Sequence, residues 1–293
     1  MADAVALKPL EAAALVDEAA WAAARAYRQA PHTAVEETAR LRWLITGTPY
    51  YGLNGVFWAH NGEPDLVDVA MRPFYEAEVP MLWHVGPTSD PDLPEKLHEI
   101  GLTHHAEEPG MVQSLGPAHD RAGRGTGGLA DGADLAGGGV EPPVWLEIRR
   151  VGTVSELRAW VRIWAGPASP LVTDRLVALR APAAFGAHAR TPHFLGVADG
   201  EPVACAAVWV GRPGWGRGRW RGAPVAWVEH VSALPVARGR GIGTAMTWEC
   251  LRVARDRKAD RAVLTATAEA APLYRRLGFQ DVCTVSRFLW TPR

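Results

Sequence analysis

The sequence predicts a mixed α/β protein built as two units, and three observations carry that prediction. Its 293 residues exceed one average domain. A stretch dominated by Gly, Ala and Asp, residues 118–143, interrupts the apolar patterning. On both sides of it, short apolar segments with strand character alternate with segments of helical period.

In chain order, residues 11–29 read as an alanine-rich amphipathic helix with Leu15, Ala19, Ala22 and Ala23 on one face and Pro31 ending it. Strands are expected at 41–46, 55–60 and 81–85, and helices at 64–77 and 92–100. The units then divide as 1–117, a flexible linker at 118–143, and 144–293. Within the linker, Gly123, Gly125, Gly127 and Gly128 beside Arg121 and Arg124 imitate a phosphate loop, but no strand leads in and no helix leads out. Trp145 to Arg149 starts a strand; Leu157, Val161 and Trp164 recur at helical spacing, and a second helix covers 172–180. Extended segments at 193–198, 203–210 and 224–234 follow, the first two joined by Asp199-Gly200, a hairpin signal. Trp209 and Trp227 stand as cross-strand partners would. A helix from Ile242 to about Arg257, a strand at 261–266, a helix at 270–277 and a strand at 281–289 close the α/β unit.

Composition excludes several classes. A formal charge of −1 gives no global attraction to nucleic acid or an anionic membrane. No apolar run is long enough to span a bilayer, and the N-terminus, opening with Asp3 and no basic region, does not read as a secretory signal, so a cytoplasmic protein is expected. Cys205, Cys250 and Cys283 form no CxxC pair, and the ten histidines show no metal-ligand spacing; neither a disulfide framework nor a metal site is expected.

Trp227 to Thr247 is the most specific stretch. An apolar strand ends at Leu234-Pro235, and Arg238-Gly239-Arg240-Gly241-Ile242-Gly243 opens a helix with Ile242, Ala245, Met246, Cys250 and Val253 as its buried stripe. First-turn N–H groups lack internal partners and the macrodipole places positive charge there, so this end suits a pyrophosphate. Glycine at 241 and 243 admits close approach or a turn that a Cβ would strain. A dinucleotide fingerprint is the competing reading, since Gly239 and Gly241 open the turn as the first two glycines of GxGxxA would, with Thr244 in the last place. Against it, the turn lies late in the chain, the strand at 261–266 carries no acid for a ribose, and the Walker lysine and Ser/Thr are missing.

These residues resemble the GCN5-related N-acetyltransferase (GNAT) superfamily, whose signature is RxxGxG or QxxGxG after a strand ending VxP; here Ala233-Leu234-Pro235 precedes Arg238 to Gly243. Ala271 to Phe279 (APLYRRLGF) looks like the family's LYxKxGF block. The resemblance covers roughly 144–293. It implies the acyl-CoA N-acyltransferase fold, with a sheet splayed between its fourth and fifth strands, and acetyl-CoA as co-substrate. The pantetheine would pair with backbone near Val231, Ser232 and Ala233, and the diphosphate would lie on Arg238, Gly239, Arg240, Gly241, Ile242, Gly243 and Thr244. An acceptor amine would attack the thioester directly, which requires a base and an acid for the leaving thiolate.

Glu229 stands four residues before Ala233, as a glutamate does in the histone-modifying branch of the family, and strand parity places it on the face of Val231 and Ala233. It is the expected base, a substrate-orienting carboxylate being the alternative. His230 is the competitor by chemistry, though parity sends it to the opposite face. Tyr274 matches the family tyrosine that protonates the thiolate; packing between Leu273 and Leu277 is its structural alternative. Thr267 replaces an asparagine that often binds cofactor. A non-catalytic acyl-CoA sensor of the same fold is the alternative function.

A weak repeat aligns Pro80 to Leu102 with Arg261 to Phe279, Gly101 on Gly278 and Leu97 on Tyr274. No RxxGxG turn precedes it, so the N-terminal half is expected to be a degenerate second GNAT-like domain that shapes the acceptor site, mediates homodimerisation or binds a regulator. Gly211 to Gly222, with four arginines and two tryptophans, reads as a solvated loop; single-stranded nucleic acid is its competing partner.

Overall fold

The computed structural model describes residues 7–59, 65–116, 143–185, 190–214 and 223–292. The expected linker lies outside these residues except for Pro143, and the arginine-rich loop lies outside them from residue 215.

The first half runs α1 (Pro9–Ala24), β1 (Ala34–Glu37), β2 (Leu41–Ile45), β3 (Gly55–Ala59), α2 (Leu66–Ala77), β4 (Met81–Val85), α3 (Leu93–Glu99) and β5 (Thr103–Ser114). The second runs β6 (Leu146–Arg150), α4 (Val154–Ala165), α5 (Pro170–Ala184), β7 (His193–Ala198), β8 (Glu201–Gly211), β9 (Val225–Ala233), α6 (Ile242–Asp256), β10 (Arg261–Thr265), α7 (Ala271–Arg276) and β11 (Gln280–Trp290). The local causes are those the sequence displays. Pro9 starts α1, Thr153 and Glu156 cap α4 reciprocally, and Asp199 and Gly200, both at positive φ, turn β7 into β8. Trp209 does face Trp227 across β8 and β9.

Among the described residues, eleven strands form one sheet in the order β1-β2-β3-β4-β11-β5-β10-β9-β8-β7-β6. The last strand of each half is exchanged: β11 lies between β4 and β5, and β5 lies between β11 and β10. The halves are related by a pseudo-twofold between β5 and β11. It places β3 and β4, a parallel pair, on β9 and β10, also parallel. The weak repeat is therefore structural. After α3 and after α7 the chain turns at Gly101 (φ +91°) and Gly278 (φ +92°). Leu102 N–H then bonds Leu97 O at 2.9 Å, as Phe279 N–H bonds Tyr274 O at 3.0 Å, the same glycine C-cap in both halves.

Two strands escape the sequence patterning, β1 and the whole of β5. The first part of β5, Thr103 to Pro109, is mostly polar and only half-buried or exposed, and Pro109 argues against a central strand, yet β5 pairs on both sides. Sheet closure by β11 overrides local propensity there. The helix expected at 11–29 is α-helical only to Ala24 and continues as a 3₁₀ turn through Gln29.

α1 spans the junction. Its Leu15, Val16 and Ala19 are buried against Val225 and Trp227 of β9, Val263 of β10 and Val285 of β11. On the other side of the C-terminal sheet, α6 and α7 pack through Ile242, Ala245, Met246, Cys250 and Tyr274.

Candidate active site

The parallel pairing of β9 with β10 stops at Trp227 opposite Val263, although β9 continues to Ala233. The strands diverge beyond that point, between the fourth and fifth strands of the C-terminal half, and leave the end of β9 without a neighbour on that side. A 3₁₀ turn, Pro235–Ala237, leads into an exposed loop in which Gly239 (φ +74°) and Gly241 (φ +80°) are left-handed. Gly241 is the N-cap of α6, and the first helical bond is Ala245 N–H to Gly241 O at 3.1 Å. The N–H groups of Ile242, Gly243 and Thr244 thus lack helical acceptors. The cationic side chains frame this turn. Arg238 Nε donates to Ala233 O at 3.1 Å, and Arg240 lies 4.0 Å over the ring of Trp145. Gly243 has an additional reason to be glycine: a Cβ there would stand 2.9 Å from Leu273 Cδ1, where α7 packs on α6.

β9 carries a bulge. Glu229 pairs with Ala207 but Ser232 pairs with Cys205, so three steps on β9 oppose two on β8, and His230 takes a φ of +57°. This corrects the parity argument. Val231 and Ala233 pack with Val228 on the α6 face, whereas Glu229 and His230 together line a cavity on the α1 face. His230 does not point away from Glu229; its Nε2 lies 3.4 Å from Glu229 Oε2.

The cavity has a volume of about 280 Å³. Its walls come from both halves: Tyr50, Phe57 and His84 from the first, Trp164, Trp227 and Thr265 from the second, with Ala20, Ala23 and Ala24 of α1 closing one side. Phe57 and His84 stack at 4.3 Å, and Tyr50 packs on Trp164 at 5.0 Å. Arg287 bonds Glu108 at 2.9 Å and Thr265 at 3.0 Å in the floor.

Behind Glu229 and His230 lies Arg180 of α5, with no exposed surface. It donates to Tyr27 Oη at 2.7 Å and to His230 Nε2 at 3.0 Å, and stands 3.5 Å from His193 Nε2. Burial by itself would raise the Glu229 carboxyl, but His230, Arg180 and His193 overcome it and hold the pKa at about 2. Burial and then Arg180 depress His193 to about 3. Burial also lowers His230, with Arg180 adding to the effect against the opposing pull of Glu229. Glu229 is an anion and both imidazoles are neutral at neutral pH.

Tyr274 sits in the α6 core, 7% exposed, edge-on to Phe279 at 5.8 Å, and burial raises its phenol above the ordinary range. It is set among the α6 residues rather than on the cavity wall. Thr267 Oγ1 accepts from Ala270 N–H at 3.3 Å in the turn that leads into α7. Sequence reasoning missed Arg180 and its partners Tyr27 and His193. The available signal was helical spacing: Arg180 follows Leu176 by four residues and Val177 by three on a stripe that is otherwise buried. Among the described residues, no group of three or more His, Cys, Asp or Glu is placed to hold a metal, and no helix is long and apolar enough to cross a membrane.

Residues 157–279 match the acetyltransferase (GNAT) family. No curated protein matches the chain. Among solved structures, a GCN5-related N-acetyltransferase from Kribbella flavida superposes with a TM-score of 0.62 at 22% identity, over 94% of this chain and 95% of that one. A tandem GNAT protein from the clavulanic acid biosynthesis pathway gives 0.57 at 15% identity over 96% and 95%. A GCN5-related N-acetyltransferase from Sphaerobacter thermophilus gives 0.58 at 14% over 98% and 95%. At these identities the likeness is one of fold, and it extends over both halves. The divergent β9 and β10 and the glycine turn into α6 lie within the segment that matches the GNAT acetyltransferase family, residues 157–279, and the chain as a whole has a fold like that of a tandem GNAT protein.

Proposed function

We propose that the protein is an acetyl-CoA-dependent N-acetyltransferase whose acceptor is a small-molecule or protein amine bound in the cavity between the two halves. The observation that carries the reading is the amino end of α6. Two left-handed glycines deliver its unpaired N–H groups to an exposed surface beside the gap between β9 and β10. The diphosphate of acetyl-CoA takes those N–H groups from Gly239 to Thr244 with Arg238 and Arg240 alongside, and its pantetheine follows the free edge of β9 at Val231, Ser232 and Ala233.

The acceptor nitrogen attacks the thioester carbon as the neutral amine. A carboxylate is too weak a base to deprotonate a free ammonium ion, but nitrogen becomes far more acidic once bonded to the carbonyl carbon. Glu229 takes the proton at that stage and releases it to solvent. The C–S bond breaks, and Tyr274, kept protonated by its buried setting, gives its proton to the thiolate. The N-terminal half supplies acceptor-side walls through Tyr50, Phe57 and His84.

The test is thiol release from acetyl-CoA with a panel of amines spanning different basicities. Turnover is expected, with the acidic limb of kcat/KM moving with the pKa of each acceptor. CoA binding without turnover across the panel would instead make the domain an acyl-CoA sensor, and no CoA binding would remove the proposal altogether.

A further inference from the structure

A fully buried arginine is costly to desolvate and is ordinarily found hydrogen-bonded to a carboxylate. Arg180 is 0% exposed and its hydrogen bonds go to neutral groups, Tyr27 Oη, His230 Nε2 and His193 Nε2, while its Nε has no partner. Aromatic faces supply the compensation. The guanidinium carbon lies 4.2 Å from the ring centroid of Trp164, 4.8 Å from Trp160 and 5.3 Å from Tyr27. Its nearest negative charge is Glu229, reached through the imidazole that both groups touch. Such a cage costs α5 a buried charge that a leucine would avoid, and its partners, Tyr27, His193 and His230, lie apart from the glycine turn into α6.

We propose that Arg180 is a positioning residue for acyl transfer: caged by Tyr27, Trp160 and Trp164, it donates to His230 Nε2, fixes that ring with its proton on Nδ1, and thereby leaves the Glu229 carboxylate unbonded and turned to the acceptor. The tautomer follows from donor chemistry. Arginine can only donate, so a neutral His230 with Nε2 facing Arg180 accepts there and carries its hydrogen on Nδ1. Without Arg180, Nε2 is free to take the proton and donate it to Glu229, 3.4 Å away, which would occupy the carboxylate. The charged and titratable groups that interact with Glu229 are His230, Arg180, His193, Tyr27 and Cys250, and His84, Glu108 and Arg287 line the same cavity. Tyr27 belongs to the N-terminal half, so the anchor of the cage is contributed across the junction.

The significance of Glu229 rests on the proposed function, but the tautomer does not, and the experiment keeps them apart. Nitrogen-15 shifts of the His230 ring in the ligand-free chain should report the Nδ1–H form in the parent and the Nε2–H form in Arg180→Met. CoA affinity should be unchanged by calorimetry, and kcat should fall roughly 10- to 100-fold, the effect of losing one charge-assisted bond. Arg180→Lys, which keeps the charge but loses the planar fork, should recover part of the rate. An unaltered His230 tautomer in Arg180→Met overturns the proposal whether or not the protein is active. Should Arg180→Met not fold, Tyr27→Phe retains the ring and removes only the hydroxyl; kcat several-fold lower at constant CoA affinity is expected, and an unchanged kcat refutes the role.

Discussion

Gly241 is the most informative position to perturb, because its φ of +80° and ψ of 0° separate backbone strain from steric fit. An ideal Cβ at 241 meets no heavy atom within 4 Å, so Gly241→Ala creates no clash in the protein itself. The cost is conformational, about 1–2 kcal/mol for an L-residue held left-handed, and higher for a β-branched residue. The chain can escape the strain only by rotating φ to negative values, which turns the N–H groups of Ile242 and Gly243 out of register. Losing one charge-assisted bond to a phosphate costs about 1.5–3 kcal/mol, roughly a 10- to 100-fold rise in Kd. Calorimetric titration of CoA into Gly241→Ala and Gly241→Val, with thermal unfolding of each, tests the chain of reasoning. Affinity should fall in that order. Melting should drop by only about 2–4 °C per kcal/mol of strain. Gly243→Ala is the internal contrast: its φ is not left-handed and its Cβ meets the flexible end of Leu273 at 2.9 Å, so α7 shifts slightly and CoA binding changes less. Full CoA affinity in Gly241→Val, with the fold intact, would refute the placement of the diphosphate on this turn.

Glu229→Gln should lower kcat by about 10²- to 10⁴-fold while leaving CoA affinity unchanged, measured by thiol release and calorimetry. Because the folded-state pKa of Glu229 is depressed to about 2, its ionisation contributes stability that is fully present above the ordinary carboxylate range and is lost as pH falls from about 5 towards 2. Chemical denaturation across that window should show a shallower loss in Glu229→Gln, and identical slopes would exclude the depressed pKa. Tyr274→Phe keeps the ring against Phe279 and should slow thiol release by at least tenfold with little change in melting temperature; a normal rate would assign Tyr274 to packing alone. Residues 144–293 expressed alone should not reach the native fold, because β10 and β11 are separated by β5 in the sheet. A monomeric fragment with native near-ultraviolet circular dichroism and CoA affinity would show that β11 can close directly on β10.

The glycine turn and α6 were legible because the end of a strand, the glycines and the apolar helical stripe stand in consecutive residues. The pairing of Leu97 with Tyr274 was visible for a similar reason: the short helix and its glycine C-cap are local, and Gly101 and Gly278 turn at nearly the same φ. Long-range closure was not legible. β5 has half-exposed polar residues at one end and apolar ones at the other, and its place between β10 and β11 depends on a strand at the far end of the chain. The face on which Glu229 lies was misjudged because alternation holds only in an unbulged strand, and nothing in WVEHVSA announces the extra residue at His230. Arg180 could have been noticed on its apolar stripe, but its partners come from α1's 3₁₀ extension, α4, β7 and β9, which no spacing rule connects.

The pseudo-twofold also sets the glycine turn of one half against its counterpart in the other. In the N-terminal half the parallel pairing of β3 and β4 ends at Val56 opposite Trp83, as β9 and β10 end at Trp227 and Val263, so a cleft opens at the corresponding place. The next residue on each strand, Phe57 and His84, fills it with stacked rings. The helix that follows carries Asp65 at its N-cap and Asp68 in its first turn, so carboxylates already occupy the positive end of the dipole and would repel a diphosphate. The same two rings line the cavity that holds Glu229. The place of a cleft in one half is thus filled by a wall of the cavity proposed to take the acceptor. The exchange of β5 and β11 holds that wall in register with β9 through continuous backbone pairing rather than through a mobile domain interface.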